Sequence, residues 1–274
     1  MTEKLLLIND LAGYGKVALG AMMPVLTHMG YDLYTLPTAL ISNTLDYGSF
    51  EILDTTDYIE KTLDVWGKLG FSFDAISTGF IASTRQAELI ARFCSAQQEL
   101  GVPVFVDPIM GDNGRLYNGV DRSIIVPMRE LVAAADVAIP NHTEACLLTG
   151  APYSGCQGMS ERDVTRLMDC LRRICPKSIV VTSAVVEGSS AVIGYDHERD
   201  ESFTIPFLEV PVHFPGTGDI FTSVLMGRKL SGRTLEDATA IAMHVVKDMI
   251  RKNQNADDTY KGIPIERYIG SINR

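Results

Sequence analysis

The segment Pro215-Gly216-Thr217-Gly218-Asp219 has the residue types and the spacing for chemistry on an anion. It precedes an apolar run with helical spacing. Glycines let the backbone turn closely, and the first N–H groups of a helix stabilise a negative charge such as that of a phosphoryl group. Asp219 in the first turn could accept a proton from an attacking hydroxyl group. An ordinary loop with Asp219 as the helix N-cap explains the spacing equally well.

Other polar residues directly follow apolar runs that are predicted to be strands. They are Asp107 after Val104–Val106, Asn141 and Glu144 after Val137–Ile139, and Thr182 and Ser183 after Ser178–Val181. A divalent ion that also binds phosphates prefers hard oxygen ligands, which Asp107, Asn141 and Glu144 would supply. Asn141 with Glu144 three residues later is also the pattern of a helix capping box, and this structural explanation stays open.

The elements that must position these residues alternate along the chain between short apolar runs and longer segments of helical spacing. The predicted strands are Leu5–Asn9, Leu33–Leu36 (ended by Pro37), Asp74–Ser77, Val104–Val106, Val137–Ile139 and Ser178–Val181, followed by a hairpin of Ala191–Tyr195 and Ser202–Leu208. The predicted helices are Lys16–Met29, Asp57–Leu69, Thr84–Leu100, Asp121–Ala135, Thr143–Thr149, Glu161–Ile174, Gly216–Leu230 and Leu235–Lys252, and Thr38–Phe50 is predicted to be a loop or short lid.

This alternation predicts an α/β fold with a mainly parallel central sheet and helices on both faces. In such sheets ligands bind beyond the carboxyl ends of the strands, where the polar segments lie. With 274 residues, of which 46% are hydrophobic, we expect one domain spanning residues 1–274.

Charge and composition exclude several classes of protein. The net charge of −10 argues against a general nucleic-acid binder, because contacts with phosphates require a basic face. Five cysteines without a C-x-x-C pair indicate reduced thiols in a cytoplasmic protein. The sequence contains no apolar run of about 18 residues and no signal peptide, so no membrane association is expected.

The glycines near the N-terminus superficially match a dinucleotide-binding fingerprint. Gly13-Tyr14-Gly15-Lys16-Val17-Ala18 follows a strand, and Asp32 lies about 20 residues beyond the first glycine. The ribose-binding acid should end the second strand, whereas Asp32 precedes it. A dinucleotide oxidoreductase is therefore a distant alternative.

As an ordered set, these motifs resemble the ribokinase superfamily and specifically its vitamin B6 kinases, with the phosphomethylpyrimidine kinases as near relatives. Gly216-Thr217-Gly218-Asp219 is similar to the superfamily's anion hole and catalytic aspartate. The segments Val106–Asp112 and Pro140–Ala145 resemble the D-P-V-M-G-D and P-N-x-x-E-A elements of the branch. Ser42-Asn43 followed by Tyr47-Gly48 resembles its substrate-side loop.

The resemblance implies a ribokinase-like fold and transfer of phosphate from ATP to the hydroxymethyl group of pyridoxal, pyridoxine or pyridoxamine. Asp219 would be the base, and Gly216, Thr217 and Gly218 would hold the developing charge. It also implies Mg²⁺ near Asp107 and Glu144, a monovalent cation as a further cofactor, and a homodimer. The nucleotide would contact Asp107, Asn141, Glu144, Thr182 and Ser183, and the substrate would contact Asn9, Tyr14, Thr44, Tyr47, Phe80 and Asp219.

Two other functions stay open from the sequence. A hydroxymethylpyrimidine or sugar kinase would share the phosphoryl-transfer residues, and Asn9, Leu45 and Phe80 depart from the usual B6 kinase residues at the ring. A nucleotide-binding regulatory protein without turnover is the alternative outside the enzymes. Asp219 argues against it, because a protein that only binds gains nothing from a base at that position.

Overall fold

A computed structural model describes residues 2–117 and 119–272 of the chain. Strands and helices alternate over most of its length. In chain order they are β1 (Lys4–Tyr14), α1 (Ala18–His28), β2 (Asp32–Asn43), β3 (Ile52–Asp54), α2 (Thr56–Leu69), β4 (Ala75–Thr78), α3 (Thr84–Glu99), β5 (Val104–Val106), β6 (Gly111–Asp112), β7 (Arg115–Leu116), α4 (Ile125–Ala133), β8 (Val137–Ala138), α5 (His142–Thr149), α6 (Glu161–Ile174), β9 (Ser178–Val186), β10 (Ser189–Asp196), β11 (Glu201–Pro206), α7 (Thr217–Leu230) and α8 (Leu235–Asn253).

The described residues form two compact units. The first contains the chain up to Ala82 together with the chain from Val210 onward, and the second is Ser83–Glu209. The expectation that residues 1–274 form a single domain therefore stays a prediction.

In the first unit, β1 lies between β2 and β4 and is parallel to both, while β3 pairs antiparallel with β2. Leu5 to Ile8 of β1 are completely buried. Because successive side chains of a strand point to opposite faces, both faces of this strand must be covered. Helices α1 and α7 pack against each other, as do α7 and α8. The carboxyl end of β1 is thereby placed next to the start of α7.

In the second unit, β8 lies between β5 and β9, and all three strands are parallel. Strands β10 and β11 continue the pairing from β9 in antiparallel orientation, which confirms the predicted hairpin. Residues Val104–Val106 are buried, as are Val137 and Ile179. A two-stranded ribbon of β6 and β7 follows the end of β5. The predicted α/β fold with mainly parallel strands is confirmed.

Several sequence-based boundaries were wrong around β1 and β2. Strand β1 extends to Tyr14 instead of ending at Asn9, and β2 continues through Pro37 to Asn43, where a loop was predicted. Proline is tolerated because β3 pairs only with Ala39–Ile41, beyond Pro37, so that one side of β2 is a free edge there. The predicted helix Asp121–Ala135 is shorter, since it begins as a 3₁₀ turn and α4 starts at Ile125.

Within the described part of the chain, none of the helices has the length and apolar character that a membrane crossing requires.

Candidate active site

The start of helix α7 in the first unit has the geometry of an anion site. Gly216 is its N-cap and has a left-handed φ of 83°. A Cβ on this residue would lie 2.4 Å from the backbone oxygen of Lys16, so only glycine fits there. Around the Cβ position of Gly218, by contrast, there is open space to 4 Å. The N–H groups of the first turn have no acceptor within the helix and can bind an anion.

The two glycines are expected to respond differently to alanine. Gly216→Ala should lower the free energy of unfolding by about 1–3 kcal/mol, because both the left-handed φ and the Lys16 carbonyl exclude a Cβ. Gly218→Ala should change it by at most about 1 kcal/mol, since it meets no atom and alanine suits a helix. Urea unfolding measures both values. Equal effects of the two variants would contradict this assignment.

Asp219 lies in the same first turn and is 9% exposed. Its Oδ2 accepts a hydrogen bond of 2.7 Å from the backbone N–H of Ala18, and its Oδ1 accepts one of 3.1 Å from Nδ2 of Asn9. Burial raises the pKa of the Asp219 carboxyl from 3.8 to about 6, and the two hydrogen bonds oppose this increase. The carboxylate is therefore ionised at neutral pH and more basic than an exposed aspartate.

The backbone of Ala18 is strained where it contacts Asp219. Ala18 has a φ of 48°, in the left-handed region that non-glycine residues rarely adopt. This conformation directs its N–H to the Asp219 carboxylate at the start of α1. Strain of this kind is typical of functional sites, where the surrounding structure holds the residue in place.

Asp10 is a neighbour of Asp219 that the sequence analysis missed as a site residue. It is buried within β1, at the register shift between Asn9 and Leu11. Burial raises its pKa to about 7, with a smaller contribution from the negative charge of Asp219. The signal was present in the sequence, because Asp10 follows the apolar run of β1 just as Asp107 follows that of β5.

The predicted substrate residues of the first unit fall into two groups. Asn9 and Phe80 are adjacent, since the Phe80 N–H donates to Oδ1 of Asn9 at 2.8 Å. Tyr14, Thr44 and Tyr47 form the other group. The Thr44 N–H donates to the Tyr14 carbonyl at 3.1 Å, and the rings of Tyr14 and Tyr47 are 6.0 Å apart.

The second group is held by a segment near the C-terminus that was not predicted to take part. Thr44 donates its hydroxyl hydrogen to the Tyr260 carbonyl at 2.7 Å, and the Tyr47 ring packs edge-on against the Tyr260 ring at 5.6 Å. The Tyr47 hydroxyl donates to Asp258 at 2.7 Å, and this bond raises the pKa of Tyr47. The tyrosines Tyr14, Tyr47 and Tyr260 therefore form one partly exposed aromatic cluster.

In the second unit, Asn141 and Glu144 form a capping box at the start of α5. Oδ1 of Asn141 accepts from the Glu144 N–H at 3.0 Å, and Oε2 of Glu144 accepts from the Asn141 N–H at 2.8 Å. Oε1 of Glu144 accepts from the Met110 N–H at 3.1 Å. The structural explanation of this pair is thus correct, and the Gly111 N–H is a further donor to the Glu144 carboxylate.

The carboxyl groups of Asp107 and Glu144 interact electrostatically. Glu144 is 2% exposed, and burial, followed by the charge of Asp107, raises its pKa well above the usual range. Among the described residues, no group of three or more histidine, cysteine, aspartate or glutamate side chains could hold a metal. Two carboxylates nevertheless fit Mg²⁺, which usually takes one or two carboxylates and completes its shell with phosphates and water.

Thr182 lies beside the segment that joins β8 to α5. It forms an isolated parallel bridge with Asn141, and its N–H donates to the Pro140 carbonyl at 3.0 Å. The next residue, Ser183, is exposed and has a φ of 55°. The register of β9 with β10 shifts at this point, between Ala191 and Ile193. Because β9 continues to Val186, beyond the predicted end at Val181, this bulge lies inside the strand, where it can re-aim a side chain.

Solved kinase structures match the whole chain. A protein from Bacteroides thetaiotaomicron assigned to the phosphomethylpyrimidine kinases and crystallised with pyridoxal matches with a TM-score of 0.94 and 32% identity, covering 100% of this chain and 96% of that one. Pyridoxal kinase from Lactobacillus plantarum matches with a TM-score of 0.88 and 28% identity, covering 99% and 97%. The fold, together with the glycine-aspartate helix start, is that of a ribokinase-like small-molecule kinase.

The sequence comparison defines the family. The model of the phosphomethylpyrimidine kinase family matches residues 23–263, and the chain belongs to this family. Pyridoxal kinase of Arabidopsis thaliana is 26% identical over 244 residues, which cover 85% of this chain and 75% of the relative. The resemblance to vitamin B6 kinases is therefore confirmed.

Proposed function

We propose that this protein transfers the γ-phosphoryl group of ATP to the hydroxymethyl group of pyridoxal, pyridoxine or pyridoxamine, with Asp219 as the base. The observation that carries this proposal is the Asp219 carboxylate in the first turn of α7. It is buried, ionised at neutral pH and held by two donors, beside helix N–H groups that can bind an anion. Relatives that bind or phosphorylate B6 vitamers support the choice of substrate.

The chemistry requires a proton acceptor and a place for negative charge. Asp219 accepts the proton of the substrate hydroxyl as its oxygen bonds to the γ-phosphorus, while the bond from that phosphorus to the bridging oxygen breaks and ADP leaves. The backbone N–H groups of Thr217 and Gly218, together with the turn at Gly216, stabilise the charge that develops on the phosphoryl group. Mg²⁺, when bound near Asp107 and Glu144, would neutralise charge on the phosphate oxygens. Asn141, Thr182 and Ser183 would contact the nucleotide.

The proposed substrate contacts are aromatic or small. Phe80 is half-buried beside Asn9, and Tyr14, Tyr47 and Thr44 belong to the group around Tyr260. Aromatic side chains pack well on a flat ring. A sugar would instead leave several hydroxyl groups unpaired, at a cost of about 1–3 kcal/mol each.

A hydroxymethylpyrimidine is the second candidate substrate. It is favoured by the family model, which is that of phosphomethylpyrimidine kinases. It is also a flat aromatic ring with a primary alcohol, so the phosphoryl-transfer residues would serve it unchanged.

A substrate panel tests the choice. We expect the kcat/KM of at least one B6 vitamer to exceed that of ribose at least about tenfold, a difference of roughly 1.4 kcal/mol. ADP release is measured with the three vitamers, hydroxymethylpyrimidine and ribose under identical conditions. The Asp219→Asn protein, purified in parallel, measures contaminating kinase activity. A higher kcat/KM for hydroxymethylpyrimidine than for every vitamer selects the second candidate, and a higher value for ribose refutes both.

The proposal also includes a homodimer, a cytoplasmic location, a monovalent cation as a further cofactor and a single domain of residues 1–274. These parts rest on the sequence resemblance and on composition.

A further inference from the structure

Asn9 is completely surrounded by protein in the middle of β1, with 1% of its surface exposed. Its Oδ1 accepts hydrogen bonds from two backbone N–H groups, that of Asp10 at 2.9 Å and that of Phe80 at 2.8 Å. Two donors on one side fix the orientation of the amide, so Nδ2 must point the other way. There it donates to Oδ1 of Asp219 at 3.1 Å and lies 3.5 Å from the sulfur of Met22.

These contacts use the full capacity of an asparagine side chain, which has two donor hydrogens and two acceptor lone pairs. None remains for a ring nitrogen or a ring hydroxyl group. The expectation that Asn9 contacts the substrate therefore needs revision, because the amide is already engaged with Asp219.

We propose that Asn9 is a positioning residue for the reaction: its amide holds the Asp219 carboxylate in the orientation and the ionised state that proton transfer requires. This inference rests on the proposed role of Asp219 as the base. Only an amide meets both demands at this position. An aspartate would accept from the same two N–H groups but would place a second negative charge against Asp219, and a leucine would leave those N–H groups without their acceptor.

Gly79 provides the space for this arrangement. A Cβ on Gly79 would lie 2.4 Å from both Cγ and Nδ2 of Asn9 and 2.5 Å from Oδ1. Because that Cβ overlaps the whole amide group, Gly79→Ala must displace the side chain of Asn9 while leaving its chemical identity unchanged. It is thus a second way to disturb the contact with Asp219.

The groups around Asp219 determine the sign of the expected change. Asn9 and Ala18 donate to the carboxylate and lower its pKa, whereas burial raises it. Asp10 is the titratable neighbour on β1, helix α1 presents the Met22 thioether, and the end of β4 contributes the uncharged Gly79 and Phe80. Loss of the Asn9 donor should therefore raise the pKa of Asp219. As the pH is lowered, turnover should then begin to fall at a higher pH than in the wild type.

The test is the pH dependence of turnover by the full-length enzyme with ATP, Mg²⁺ and the best vitamer. In Asn9→Leu, kcat at pH 7 should fall at least about tenfold, while the KM values of ATP and vitamer change less than about threefold. The acidic limb of the kcat profile should move to higher pH by at least about 0.5 unit. Gly79→Ala should move the limb in the same direction even if Asn9→Leu does not fold.

A double variant and a control sharpen the result. In the double variant Asn9→Ala/Gly79→Ala, the shortened side chain at position 9 leaves room for the new methyl group at position 79. The shifts of the acidic limb in the two single variants should therefore not add in the double variant. Asn253→Leu removes another buried asparagine, whose amide donates within α8 to the Met249 carbonyl. This control should lower stability without moving the acidic limb.

Other outcomes overturn the inference in distinguishable ways. If Asn9→Leu raises the vitamer KM and leaves the acidic limb in place, Asn9 contacts the substrate ring and does not position Asp219. If Asp219→Asn is inactive while the limb stays in place in Asn9→Leu and Gly79→Ala, the positioning role alone is refuted. Wild-type turnover of Asp219→Asn would refute the proposed base and the positioning role together.

Discussion

Asp219→Asn is expected to lower turnover by roughly 10²–10⁴-fold, the range for loss of a general base. The substrate hydroxyl would keep its surroundings but lose its proton acceptor. In the wild-type enzyme, turnover should fall as the pH drops through about 6, where the Asp219 carboxyl becomes protonated. Burial, with a smaller contribution from the charge of Asp219, raises the pKa of Asp10 to about 7. The acidic limb of the pH–turnover profile can therefore extend over the pKa values of both carboxyl groups.

The stability of this variant has two opposing contributions. The folded-state pKa of Asp219 is raised, so ionisation of this group weakens the fold as the pH rises above 3.8, the unfolded value, and an uncharged asparagine avoids that loss. However, both partners of the carboxylate are donors, the Ala18 N–H and the Asn9 amide. The new NH₂ group must face one of them, which costs about 1–3 kcal/mol. We therefore expect little net change in the free energy of unfolding.

Steady-state kinetics from pH 5 to about 9 and urea unfolding at neutral pH measure these quantities. Gly218→Ala is a useful companion, because it alters the same turn without removing the base. Turnover of Asp219→Asn within about threefold of the wild type would exclude the proposed role of Asp219.

Removal of divalent metal is expected to abolish turnover. Lewis-acid stabilisation of phosphoryl transfer supplies several kcal/mol, so EDTA should lower kcat by roughly 10³-fold or more. Glu144→Ala should raise the half-saturating Mg²⁺ concentration roughly tenfold or more and affect the vitamer KM much less. The reason is that a bound cation would relieve the repulsion between the carboxylates of Asp107 and Glu144.

Loss of the Glu144 side chain also breaks the capping box of α5, so a matched control is needed. Ser160 and Asp163 form a second capping box, at the start of α6. Asp163→Ala removes an equivalent helix cap and should leave the magnesium titration unchanged. Full activity in EDTA, or identical magnesium titrations of Glu144→Ala and the wild type, would rule out the metal site.

The sequence allowed prediction of the elements whose signals are local. Apolar runs and helical spacing located the strands that precede Asp107 and Asn141, and the glycines before Asp219 located the start of α7. Here the local preference and the tertiary structure agree. The family resemblance then supplied the roles that spacing alone left undecided.

Features that depend on distant partners could not be predicted. The strand through Pro37 needs an edge that β3 leaves free, and β3 itself is too short to have a clear pattern. The contacts of Tyr260 with Thr44 and Tyr47 join segments more than 200 residues apart. The hydrogen bonds of the Asn9 amide also depend on distant segments, because its partners include residues of α1, of α7 and of the segment after β4.

The first unit is assembled from both ends of the polypeptide, and this has a consequence for biosynthesis. Asn9 and Asp219 are 210 residues apart in sequence. At ribosomal rates of about 5–20 residues per second, the Asn9 side chain is made roughly 10–40 s before its carboxylate partner. Strands β1, β2 and β4 emerge early but lack helices α7 and α8, whereas all of Ser83–Glu209 is translated before α7. The second unit can therefore fold on the nascent chain, while the first unit must wait for the segment from Val210 onward.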